Sequence, residues 1–197
     1  MSASFLDQLS QPRPDPGGGA AAAFGGMVAL ALLEKVAQLE AQRPAHQGQR
    51  PVWEEKLGQI GQLAADLDRL REEDVRAYAQ MAQVRASGSR GQEWQEAVAY
   101  ALQVPQEIMA RAEEALTLVA WAGARCRKHL VSDLQVAREF LMAALQGAYH
   151  IARANLPLVA EEARRQEFSR QLAEAENRGR QVFQEAGSAL AARGFVK

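Results

Sequence analysis

Cysteine is nearly missing from this chain. Cys126 stands alone in 197 residues, which excludes an intrachain disulfide and makes a cysteine-based zinc cluster untenable. Histidine is scarce as well. Cys126 and His129 have the spacing of a ligand pair, but two ligands do not make a metal site, and none is expected. Neither sign of charge dominates: 23 basic and 24 acidic residues leave a net charge of -1. No cationic surplus therefore points to nucleic acid or to an anionic membrane. The opening Ser2-Ala3-Ser4-Phe5-Leu6-Asp7 lacks the basic start and apolar run of a secretory signal. The longest apolar run, Ala20 to Leu33, is closed by Glu34 and Lys35. It is too short to span a bilayer and reads as a buried helix. A cytoplasmic protein is expected. Strand patterns are missing too, since no stretch alternates apolar and polar residues with β-branched enrichment.

What is present favours helix. Alanine, leucine, glutamate, glutamine and arginine dominate, and prolines and glycines divide the chain. A short helix is expected over residues 4–11, then a loop from Pro12 to Gly19. Long helices follow over about 20–41, 52–85, 92–127 with a kink at Pro105, one capped by Ser132-Asp133 and ending near Asn155, and 158–193. Breaks fall at Pro44 to Pro51, Ser87 to Gly91 and Leu156-Pro157. Five long helices on short connections predict an all-α antiparallel bundle, in one domain over residues 1–197.

The densest local signal is Pro16-Gly17-Gly18-Gly19 running straight into alanines. Such a loop brings backbone close to a ligand, and the following helix aims free N–H groups at it. The same glycines also suit a plain tight entry with close helix packing. A second signal is an interruption. Ile60, Leu63, Leu67, Leu70, Tyr78, Met81 and Val84 form one helix side, and Asp74 occupies the position that completes it. A carboxylate there costs several kcal/mol, on the order of 2–7, unless it is paired or hydrogen-bonded. It is either a structural ion, a helix end drifting into solvent, or a catalytic carboxylate in a cleft. On the fourth long helix, Ala137, Leu141, Ala144, Ala148 and Ile151 form the buried side, with Asp133 at its start and Asn155 at its end. Capping accounts for both polar residues equally well. His150, one turn before Asn155, reads as a structural histidine with a chance of facing the same cleft. Trp53, Trp94 and Trp121 read as packing residues.

Taken in order, these segments resemble the cyclodeaminase/cyclohydrolase family of folate enzymes. Phe5-Leu6-Asp7 with Pro14-Asp15-Pro16-Gly17-Gly18-Gly19-Ala20 is similar to its N-terminal PGGGS segment. Glu72-Glu73-Asp74-Val75-Arg76-Ala77-Tyr78 resembles its acidic EEDAxAY segment. Ala101 to Pro105 resembles its AxxVP step. Val131-Ser132-Asp133-Leu134-Gln135-Val136-Ala137 resembles SDxxVA, and Gly147 through Asn155-Leu156 resembles GAxxNVxxNL. The resemblance implies a dimeric helical bundle with a folate cleft. It implies Asp74 as catalytic acid/base, and Gly17, Gly18, Gly19, Asp133 and Asn155 as substrate-binding residues. It also implies hydrolysis of 5,10-methenyltetrahydrofolate or cyclodeamination of 5-formiminotetrahydrofolate, with no metal and no cofactor beyond the folate substrate. Three positions depart from the family pattern: Ala20 for serine, Ile151 for the first asparagine of the NVxxN pair, and Glu40 for a neutral hydroxyl residue. Glu40 would repel a folate glutamate tail if it faced one. These departures leave a second reading open, a chain that keeps the fold and binds a folate-like ligand or a partner helix without turnover.

Overall fold

Apolar side chains at helical spacing on four long segments leave one efficient way to bury them, side by side with their stripes inward. The computed structural model, described for residues 4–43 and 48–194, shows this arrangement. Its helices are α1 (Phe5–Leu9), α2 (Gly18–Ala41), α3 (Arg50–Ala86), α4 (Gln92–Gly123), α5 (Val131–Asn155) and α6 (Glu162–Ala192), with no strand among the described residues. Helices α2 to α5 alternate in direction and form a ring, α2 touching α3 and α5, and α4 closing it opposite. Fully buried Leu30, Leu33, Leu67, Leu70, Ile108, Leu116, Leu134 and Leu141 fill its centre. Each contributes about 1.5–3 kcal/mol by leaving water.

Helix α6 lies along α4 and α5 and is the most polar element. It buries Leu172, Gly179, Ala186 and Leu190, while Arg170 and Arg180 pair with Glu167, Glu174 and Glu176 on its outer side. Arg138 of α5 ties it down, its guanidinium 3.5 Å from the Phe183 ring centroid and donating to the Phe183 carbonyl.

Several boundaries differ from expectation for physical reasons. Helix α2 begins at Gly18, so Gly18 and Gly19 are helical and Gly17 is the N-cap. Helix α5 begins at Val131 behind a 3-10 turn, Lys128–Leu130, with Leu130 as N-cap; Ser132 and Asp133 lie in its first turn and do not cap it. Helix α4 stops at Gly123, because the chain turns to bring Arg127 onto Glu40. Helix α6 starts late, since Pro157 holds a 3-10 turn, Leu156–Leu158, and Val159 to Glu161 are extended. Pro51 lies in the first turn of α3, where its missing N–H is harmless. The expected break at Pro44 lies outside the described residues. Trp53 and Trp121 meet edge to face at 4.5 Å, as packing residues. Cys126 is buried and its thiol is pushed up to about 11, chiefly by burial. His129 is exposed, and no cluster of metal-ligating side chains occurs among the described residues.

Glu40 is fully buried near the C-terminal end of α2. Its Oε1 accepts from the Arg127 guanidinium at 2.8 Å and from the Arg127 backbone N–H at 3.2 Å. It therefore fixes the α4–α5 connection to α2. Glu40→Ala should lower stability by about 1.5–3 kcal/mol, the range for a hydrogen bond to a charged group. The helical circular dichroism spectrum should be retained, and the loss is read from urea unfolding.

Candidate active site

Asp74 points where the interrupted stripe places it, toward the bundle, and what it meets is the N-terminus of α2. The first N–H groups of a helix lack intrahelical acceptors. Gly17 has no side chain to supply one. Asp74 supplies it from α3: the Ala20 N–H donates to Asp74 Oδ2 at 2.8 Å. Oδ1 lies against Gly19 and accepts no hydrogen bond from the described residues. A Cβ on Gly19 would sit 2.0 Å from Oδ1, inside any tolerable contact. Gly19 is thus glycine because a carboxylate rests on its Cα. Gly18 is different, since its Cβ would meet the flexible Cδ1 tip of Ile151 at 3.0 Å. Burial raises the Asp74 carboxyl above the ordinary 3.8, and the Ala20 N–H only partly offsets this.

Around this carboxylate lies a cavity of about 250 Å³. Gly17, Gly18 and Gly19 form one wall, Tyr78 and Met81 of α3 another, and Ile151 and Asn155 of α5 a third. The structure therefore brings together Asp74, the three glycines and Asn155. Asn155 Nδ2 donates to the Ala101 carbonyl at 3.0 Å. That carbonyl would ordinarily receive the N–H four residues on, but position 105 is proline and has none. Asn155 fills the vacancy, and α4 runs helical through Pro105.

Asp133 is not part of this cavity. It lies on α5 twenty-two residues before Asn155, roughly 33 Å along the helix, and pairs with Lys35 at 2.9 Å. The glycines face the C-terminal end of α5, away from Asp133. His150 is exposed beside Tyr149 and does not line the cavity. Glu40 does not line it either, so the departure there sets no charge against a ligand. Ile151 does line it, whereas Ala20 contributes its backbone N–H to Asp74. Sequence reasoning assigned Tyr78 and Met81 to the core. The buried stripe instead continues through Ala77 and Val84, leaving Tyr78 42% exposed as cavity wall. Asp15 also lines the cavity and was missed as a site residue; its place inside the glycine segment was the available signal.

Gly19→Ala should cost about 1–3 kcal/mol, as overpacking does, whereas Gly18→Ala should cost nothing, since alanine favours helix; thermal melts of the two variants check this. Stability should also follow Asp74 ionisation. A carboxyl held above its ordinary value carries a folding cost absent below about pH 3.8 and complete above the raised value. Relative to Asp74→Asn, the wild type should therefore gain stability as pH falls from neutral through that window, as paired melts against pH would show.

Comparison with known proteins agrees with this architecture. The formiminotransferase-cyclodeaminase sequence model matches residues 1–174. No curated protein matches the chain. Among solved structures, formiminotetrahydrofolate cyclodeaminase from Thermotoga maritima superposes with a TM-score of 0.89 at 23% identity, over 96% of each chain. At that identity the likeness establishes the fold, and the sequence match over most of the chain establishes the lineage. This protein belongs to the formiminotransferase-cyclodeaminase family.

Proposed function

We propose that this protein is a folate one-carbon enzyme, converting 5-formiminotetrahydrofolate to the 5,10-methenyl form with release of ammonia, or hydrolysing the 5,10-methenyl form to 10-formyltetrahydrofolate. One observation carries the reading. A carboxylate with a free oxygen, its carboxyl raised by burial, stands in a cavity walled by bare helix backbone. Both reactions need a proton taken from an attacking N–H or O–H and returned to a departing nitrogen. A carboxyl shifted toward neutrality is suited to both halves of that transfer. In cyclodeamination N10 attacks the formimino carbon, Asp74 receives the N10 proton, and the amine leaves protonated. In hydrolysis water adds to the methenyl carbon, Asp74 receives its proton, and N5 leaves with one. The ionised form would also stabilise the cationic N–CH–N unit. Neither route calls on a metal.

The likeness to the Thermotoga maritima cyclodeaminase makes cyclodeamination the first reaction to test. Ile151, in the cavity wall where the family carries asparagine, favours the second reading of ligand binding without turnover. Absorbance of the methenyl chromophore separates the cases: it rises in cyclodeamination, falls in hydrolysis, and stays constant in a binding protein. Asp74→Asn should reduce turnover by about 10²–10⁴-fold while its melting temperature at neutral pH equals or exceeds the wild type. A variant that melts lower and turns over normally would make Asp74 a structural cap.

The quaternary proposal is a homodimer formed through the outer side of α2 and α5. Helix α2 is apolar enough to cross a membrane by composition, yet only half of that stretch is buried. Val28, Leu39, Val136 and Phe140 stand exposed along the two helices. Small residues between them, Ala21, Gly25, Ala143 and Gly147, line a shallow depression that allows close helix approach. Sedimentation should give a dimer at micromolar concentration, and Phe140→Lys should shift it toward monomer.

A further inference from the structure

The Asp74 cavity does not end at its Tyr78 wall. On the far side of Tyr78 and Met81 opens a second cavity of about 790 Å³, between the last turns of α3, the start of α4 and the Pro157 turn. Both cavities share Tyr78 and Met81. Asp74, Tyr78, Met81 and Arg85 follow one another at steps of four, three and four residues, which is one side of a helix. That side presents a carboxylate, a phenol ring, a thioether and a guanidinium over roughly 16 Å.

The far end is cationic. Arg85 and Arg90 both line the second cavity, and no aspartate or glutamate does. The arginines Arg69, Arg71, Arg76, Arg170 and Arg180 are all paired with carboxylates. Arg85 has no such neighbour to use: Met81 and Ala82 lie one turn before it, and α3 ends at Ala86. Neither Arg85 nor Arg90 has a carboxylate partner among the described residues. Two exposed planar donors without carboxylate partners, at the rim of a largely apolar trough, suit a ligand bearing carboxylates.

We infer that the second cavity receives the acidic end of the same substrate whose one-carbon unit lies at Asp74. This rests on the proposed folate reaction. The benzoyl ring of a folate lies along Tyr78 and Met81, and its glutamate carboxylates meet Arg85 and Arg90. The span along α3 is comparable to the reach of an extended folate. Further γ-linked glutamates extend past Arg90 toward solvent and add carboxylates to the same pair.

The test compares two stable probes by calorimetry, 5-formyltetrahydrofolate and 5-formyltetrahydropteroate, which lacks the glutamate. The wild type should bind the folate more tightly. The Arg85→Ala/Arg90→Ala double variant should lose about ten- to a hundred-fold in folate affinity and nothing for the pteroate. Arg85→Lys/Arg90→Lys, which keeps the charge, should recover part of the loss. If the double variant binds folate as the wild type does, the inference falls and the proposed reaction stands. If it loses both probes equally, the arginines are structural and the inference falls. If the wild type binds neither probe, the folate reading falls and the inference with it.

Discussion

A single contact, the Asp74 carboxylate resting on the first turn of α2, organises the rest of the site. It provides the acceptor that Gly17 cannot, and it demands that Gly19 have no side chain. It draws α3 against the end of α2, which opens the cavity walled by Tyr78, Met81, Ile151 and Asn155. Helix termini favour negative charge, while burial opposes it, and burial prevails. The capping and chemical readings of Asp74 therefore describe one arrangement. The carboxylate closes the helix with one oxygen and keeps the other for a substrate.

Much of this was legible in the sequence, because the deviations stood out against a regular pattern. Leucines at helical spacing defined the stripe on α3, and Asp74 interrupted it. The glycines stood immediately before strong helix formers. What could not be read was which side of each interruption faced which helix. Tyr78 and Ala77 are adjacent, and the choice between them as core residue depends on how far α3 rotates against α4, a tertiary quantity. Asp133 was grouped with the site because its segment matched a family motif, yet antiparallel packing places it beside Lys35, near the other end of α2. Motif order along a chain says little about proximity when helices are more than thirty ångströms long.

Two of the three departures from the family pattern have opposite consequences. Glu40 contributes to the architecture as a buried acceptor for Arg127, remote from the cavity. Ile151 is in the cavity itself, and its side chain touches the space over Gly18. A substitution pattern alone ranks them equally. Their surroundings separate a structural exchange from one that changes what a ligand would encounter.

Proline inside a helix is usually counted as a defect, a place where the chain tolerates a lost bond. In α4 the loss is put to use. The carbonyl that Pro105 strands on Ala101 becomes a receptor, and the amide of Asn155 is the plug that fits it. The last turn of α5 is thereby registered against α4 by an absent hydrogen atom. Positions 105 and 155 are thereby coupled: an N–H restored at 105 would share the Ala101 carbonyl with the asparagine amide, whereas losing Asn155 would leave that carbonyl stranded within the bundle. A change at either position is therefore felt at the other.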